Sequence, residues 1–167
     1  MDKTIEMNET LIQKMLAYYS GDPARIQHYT KVYIYASMIG HAEHLSDELQ
    51  HILETAAILH DIGIKIAEEK YHSSAGVLQE KEGPALAEQM LSELGFEKDV
   101  IERVSFLVGH HHTYTGIDGL DYQILVEADF LVNLFEGNTD TAHIRATYDN
   151  IFRTETGKKI CREMFGL

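Results

Sequence analysis

Apolar residues recur at spacings of three and four along almost the whole chain, and strict alternation of apolar and polar positions is scarce. That periodicity keeps one face of a helix apolar and predicts an all-α fold of about seven helices. The first helix is expected over about 8–19, capped by Asn8. The second should run from SGDPARIQHY to about 42, with Asp22 as cap and Pro23 at the first helical position. A third starts at Ser46 in SDELQHILETAAILHD and ends near the glycine of DIGI. The polar, glycine-bearing stretch KYHSSAGVLQEKEG predicts a surface loop or lid over about 66–80. Helices resume with GPALAEQMLSEL, closed by Gly95, and with EKDVIERVSFLVGHHH. After the turn-rich TYTGIDGLD comes the strongly apolar YQILVEADFLVNLFEG, then one or two weaker helices to the C-terminus. No repeat, low-complexity tract or linker interrupts the pattern, so residues 1–167 read as one compact domain.

Polar residues that break the apolar stripes are the informative ones. Leu53, Ala56, Ala57 and His60 share one stripe, so His60 points inward, and Asp61 follows about 100° round the helix. An aspartate at the negative end of a helix dipole calls for positive charge nearby. His28 lies on the stripe of Val32, Tyr35 and Ala36. Asp129 sits among Leu125, Val126, Val132 and Phe135, where a lone carboxylate must be paired, protonated or metal-bound. Val104, Leu107 and Val108 lead by spacing to His111, with His110 on the adjoining flank; His112 reads as a solvated residue at the helix end. Four helices thus bring one inward imidazole or carboxylate each, or an adjacent pair, as bundle cores do when they assemble a metal site.

Composition narrows the chemistry. Ten histidines accompany a formal charge of -13, from 14 basic and 27 acidic residues. The acids are spread through every segment, which disfavours nucleic acid as a partner. Cys161 is the only cysteine, so a metal here must use nitrogen and oxygen ligands, a set that suits Fe, Mn, Ni, Co or Zn. No apolar run approaches the roughly 20 residues of a membrane span, and the N-terminus lacks the features of a signal peptide. A cytoplasmic protein without membrane attachment is the expectation. Apolar stripes on the weak C-terminal helices would suit a homodimer.

The ordered set His28, His60-Asp61 and Asp129 resembles the signature of the HD-domain superfamily of metal-dependent phosphohydrolases. HDIG at 60–63 is similar to one subgroup's spelling of the doublet, and ILVEADFLVNL to the family's last ligand helix. The resemblance covers about residues 24–136, leaving 137–167 as a C-terminal helical extension. It implies an all-α fold around a metal site and hydrolysis of a phosphomonoester or phosphodiester, commonly of a nucleotide. The implied metal ligands are His28, His60, Asp61 and Asp129, with His110 and His111 beside them. Asp61 is the expected group to orient or deprotonate the attacking water, and His110 or His111 to ligate a second ion or protonate the leaving oxygen.

The chain also departs from the pattern. Two-metal members carry a histidine before the helix that here reads EGPALAEQML, where this chain has Gln79, Glu80, Lys81 and Glu82; His72 lies too far upstream to replace it. One ion rather than two is therefore expected, unless Glu80 or Glu82 supplies a carboxylate. The lysine that commonly follows HDIG is displaced to Lys65, and Lys31 and Arg25 are further candidates for phosphate. Tyr114 is a candidate for stacking on a base or bonding a phosphate. The alternatives to an enzyme are a non-catalytic sensor of nucleotide or metal, and a helical scaffold with structural polar networks.

Overall fold

The computed structural model describes residues 3–167, which form nine α-helices and no strand. They are α1 (Lys3–Tyr18), α2 (Pro23–Ala42), α3 (Asp47–Leu59), α4 (Ile64–Tyr71), α5 (Gly76–Glu93), α6 (Lys98–Val108), α7 (Leu120–Glu136), α8 (Thr141–Ile151) and α9 (Glu155–Phe165). The all-α expectation holds, with more helices than the periodicity suggested.

Two local signals behave as expected. Asp22 accepts from the Arg25 amide at 3.2 Å ahead of Pro23, and Ser46 accepts from the Leu49 amide at 3.3 Å. Both satisfy an amide that a helix start leaves without a partner. Asn8 does not cap. It lies inside α1, buried on the stripe of Leu11 and Met15, where its Nδ2 donates to Glu54 Oε2 at 3.1 Å and its Oδ1 accepts from Thr55 Oγ1 at 3.3 Å.

The expected loop over 66–80 is largely helical. α4 fills its first part and ends at His72, which adopts a left-handed φ of 54°. α5 begins at Gly76 and passes through Pro84. Inside a helix a proline removes an amide donor. α5 nevertheless continues through Pro84, and Gly83, just before it, permits a close approach of three segments. A Cβ on Gly63 would lie 2.6 Å from the Gln79 carbonyl and 2.8 Å from the Gly83 amide, and one on Gly83 would lie 2.6 Å from Val108 Cγ1. The glycine of HDIG is thus a backbone contact between the turn after α3 and α5.

α7 lies at the centre, with eleven buried positions from Asp121 to Leu134, and packs against α2, α3, α8 and α9. α2 packs against both α3 and α7, while α6 and α1 flank α3. The core that results, from Leu11 to Cys161, draws on both ends of the described chain. α8 and α9 cover α7 on the side where Glu127, fully buried, accepts from the amides of Arg153 and Thr154 at 2.9 and 3.1 Å. Among the described residues, the exposed large apolar side chains, such as Ile34, Met38 and Phe135, lie outside α8 and α9. The apolar stripe expected on the C-terminal helices is absent there because those helices spend it on α7 and the core. No helix of the described residues is long and apolar enough to cross a membrane.

Candidate metal centre

The C-terminal end of α3 meets the inner faces of α2 and α7 where their apolar stripes converge. His28 enters from the first half of α2, His60 forms the C-cap of α3, Asp61 begins the turn that follows, and Asp129 projects from the middle of α7. His60 is fully buried, and Asp129 and His28 nearly so, at 4% and 8% exposed.

Their ligating atoms form a tight group. His28 Nε2 lies 3.1 Å from His60 Nε2 and from Asp61 Oδ2, and 3.2 Å from Asp129 Oδ1. His60 Nε2 lies 3.3 Å from Asp61 Oδ2 and 3.4 Å from Asp129 Oδ1. Atoms bound to one ion at about 2.1 Å sit about 3.0–3.4 Å apart in octahedral or tetrahedral arrangement, so these separations suit neighbouring ligands of a single cation. The tautomers agree. His60 donates Nδ1–H to the Ala57 carbonyl at 2.7 Å and His28 donates Nδ1–H to Glu136 Oε2 at 2.9 Å. Both Nε2 atoms are left as acceptors facing each other, an arrangement that needs a cation or protons between them.

Without an ion, the electrostatics favour protons on the rings. Burial opposes charge on His28, but hydrogen bonds to Asp129 and Asp61 raise its pKa to about 10. His60 is likewise raised well above its ordinary value, because Asp61 and Asp129 outweigh its burial. Burial would raise the two carboxyls, yet His60 above all, with His28, holds both below the usual range. The positive partner that Asp61 required is therefore this cluster of imidazoles.

A second group adjoins the first and shares Asp61. Ligand atoms of Asp61, His111 and His112 lie within 4.8 Å of one another. His111 is fully buried; its Nδ1 donates to the Val108 carbonyl at 2.9 Å, and its Nε2 has no hydrogen-bond partner although Asp61 Oδ1 is 3.3 Å away. A buried imidazole nitrogen aimed at a carboxylate without a hydrogen bond is what a cation between them would resolve.

His112 is not the solvated residue that its position suggested. Gln79, buried, donates through Nε2 to the Ser74 carbonyl at 2.6 Å and so presents Oε1 to His112 Nε2 at 2.9 Å. That contact fixes Nε2 as the donor and leaves Nδ1 as the acceptor of His112. Burial first, and then His111, push its pKa down to about 4, so the ring is neutral near pH 7. Nothing in helical spacing could find it, because α6 ends at Val108 and the three histidines lie in the following turn.

Other expected residues are placed elsewhere. His110 turns away: its Nδ1 donates to the Phe106 carbonyl at 2.7 Å and its ring stacks on Phe106 at 4.0 Å. Glu80 accepts from the His112 amide at 3.0 Å and the Thr113 hydroxyl at 2.9 Å, which fixes the turn carrying the histidines. Glu82 pairs with Lys70 at 2.9 Å on the surface. Neither carboxylate belongs to the two groups described above. Lys65 donates to the Tyr18 carbonyl at 3.3 Å over that residue's ring, Lys31 pairs with Glu136 at 2.8 Å, and Arg25 is held by Asp22 and Glu68. Tyr114 is 42% exposed and packs on Phe130, with Asp129, Glu80 and Asp61 close enough to add to burial in raising its pKa to about 12.

Sequence reading also missed the support beneath the doublet. Tyr18, the last residue of α1, and Tyr19, in the turn after it, donate their hydroxyls to the carbonyls of Ile62 and Asp61, at 3.0 and 2.7 Å.

The HD domain family matches residues 25–137. A crystal structure of a predicted HD superfamily hydrolase from an uncultured Thermotogales bacterium is 24% identical, with a TM-score of 0.66 over 96% of this chain and 84% of that one. At that identity the likeness speaks for the fold. No curated protein matches the sequence.

Proposed function

We propose, for a chain that belongs to the HD domain family, a metal-dependent phosphohydrolase activity on small phosphate monoesters or diesters, nucleotides among them. The observation that carries this reading is that His28 Nε2 and His60 Nε2, 3.1 Å apart, each lie 3.1–3.4 Å from both Asp61 Oδ2 and Asp129 Oδ1. These four residues would hold a divalent Fe, Mn, Ni, Co or Zn ion. When bound, such an ion supplies Lewis acidity that polarises a phosphoryl oxygen and lowers the pKa of water towards neutrality.

The chain's own groups divide the remaining work. Asp61 reaches both groups through its two oxygens, so it is placed to orient an attacking water and accept its hydrogen bond. His112, neutral and with Nδ1 free of the Gln79 contact, is the better placed imidazole for moving a proton than His110, which faces Phe106. Tyr114 lies at the exposed edge and is the group on which a base or sugar would rest. The cationic side chains that the sequence offered for phosphate, Lys65, Lys31 and Arg25, are engaged elsewhere, so phosphate charge falls to the metal.

A second ion at Asp61, His111 and His112 is favoured by the unpartnered His111 Nε2. A non-catalytic sensor is the alternative, favoured by the engagement of those same three cations. One experiment separates these readings. Purified protein is loaded with Mn²⁺, Co²⁺, Ni²⁺ or Fe²⁺, its metal stoichiometry is measured, and phosphate release is followed from p-nitrophenyl phosphate, its bis ester and a nucleotide panel. Release that falls by about 100-fold or more in His60→Ala and Asp129→Ala, with loss of metal, is the expected result. Nucleotide binding without release supports the sensor, and unchanged metal content in both variants removes the site.

A further inference from the structure

The three buried or nearly buried imidazoles of the centre are oriented by different means. His60 and His111 donate Nδ1–H to the carbonyls of Ala57 and Val108, each three residues back, so local backbone sets those rings. His28 instead donates to Glu136 Oε2 at 2.9 Å, across from α2 to the last residue of α7. Its Nε2 faces Asp129 Oδ1 at 3.2 Å. Asp129 and Glu136 are two turns apart on α7 and share a face, so one helix grips both nitrogens of a ring that belongs to another.

Glu136 is itself held. Lys31, one turn beyond His28 on α2, donates to Glu136 Oε1 at 2.8 Å, and its ammonium lies 5.9 Å from the centre of the Phe135 ring. The pair lines a surface cavity of about 580 Å³ with Pro23, Ala24 and Gln27. With the Glu136 side chain 32% exposed, water would compete for this carboxylate unless a cation fixed it, and the ion pair contributes little to global stability.

We infer that Glu136 is a positioning residue for the metal centre: it fixes the tautomer and plane of His28, makes Nε2 the ligating atom and increases its basicity, while Lys31 holds Glu136 rather than a substrate phosphate. The physical reason is general, since an imidazole ligand binds best when its other nitrogen donates to a carboxylate. The inference rests on the metal-binding reading proposed above.

The test is Co²⁺ titration of the full chain, followed by visible absorption, for wild type, Glu136→Ala, Glu136→Gln, Lys31→Ala and, as a ligand control, Asp129→Ala. Glu136→Ala should weaken Co²⁺ binding by about 10–100-fold with little change in the unfolding temperature of the ion-free protein. Glu136→Gln keeps an acceptor oxygen and should recover part of the loss, and Lys31→Ala should show a smaller loss than Glu136→Ala. A Glu136→Ala variant that binds Co²⁺ like wild type, while Asp129→Ala does not, overturns this inference and leaves the metal site standing. Wild type that binds no Co²⁺ overturns both.

Discussion

The hydroxyl of Tyr19 donates to the backbone carbonyl of Asp61 at 2.7 Å, so the turn that carries the shared carboxylate is tied to the turn that follows α1, outside the matched family region. Tyr19 is almost fully buried, and burial, followed by the charge of Asp61, raises its pKa above the ordinary tyrosine value. Tyr19→Phe removes the donor and leaves a carbonyl without it. The expected cost is about 1–2 kcal/mol in urea unfolding, together with weaker Co²⁺ binding because the Asp61 turn is no longer held. A variant equal to wild type in both measurements would show the tie to be incidental.

Gly63 and Gly83 face different obstacles. A Cβ at Gly63 meets backbone atoms of Gln79 and Gly83, whereas one at Gly83 meets the side chain of Val108. Gly63→Ala should therefore destabilise at the upper end of the about 1–3 kcal/mol typical of overpacking. Gly83→Ala should cost less, and adding Val108→Ala should relieve its clash in part without helping Gly63→Ala. Thermal unfolding of the four variants checks the order.

Metal binding and protonation compete at the centre. His28, with a pKa raised to about 10, and His60, raised well above its ordinary value, carry protons near pH 7 that an ion must displace. Affinity for Co²⁺ should thus increase from pH 6 to pH 8, with protons released on binding. Calorimetric titration in buffers of different ionisation enthalpy measures the release, and its absence would mean that the Nε2 atoms carry no protons before the ion binds.

Glu127 provides a stability test away from the centre. Burial raises its pKa above the ordinary 4.5, against hydrogen bonds from Arg153 and Thr154 that lower it. A carboxyl with a raised folded pKa binds more protons folded than unfolded, so its contribution is full below about 4.5 and is lost as pH rises through the folded value. Glu127→Gln should remove that slope. Urea unfolding should find the variant less favoured relative to wild type at pH 4 than at pH 8; parallel pH profiles would contradict this.

Much of the site was legible because a helix imposes a fixed angle per residue. His28, His60 and Asp129 interrupt apolar stripes at positions that geometry must turn inward, and Asp61 follows from the doublet. Asn8 carried a similar signal, in register with Leu11 and Met15, that its preference for helix starts obscured. The spacing argument weakens as soon as the backbone leaves a helix. It reached His111 but assigned His112 to solvent and left His110 beside the centre, since all three lie in the turn after α6.

The sequence by itself determined that the chain is helical, which stripes are apolar and which polar side chains those stripes carry inward, because these depend on local periodicity and desolvation cost. Tertiary structure alone decided the partners: that Gln79 selects the tautomer of His112, that Glu136 and Lys31 hold His28, that two tyrosines where α1 ends anchor the Asp61 turn, and that Gly63 meets Gly83. Each of these depends on the relative placement of elements distant in sequence, which the packing of several helices fixes together and no single helix encodes.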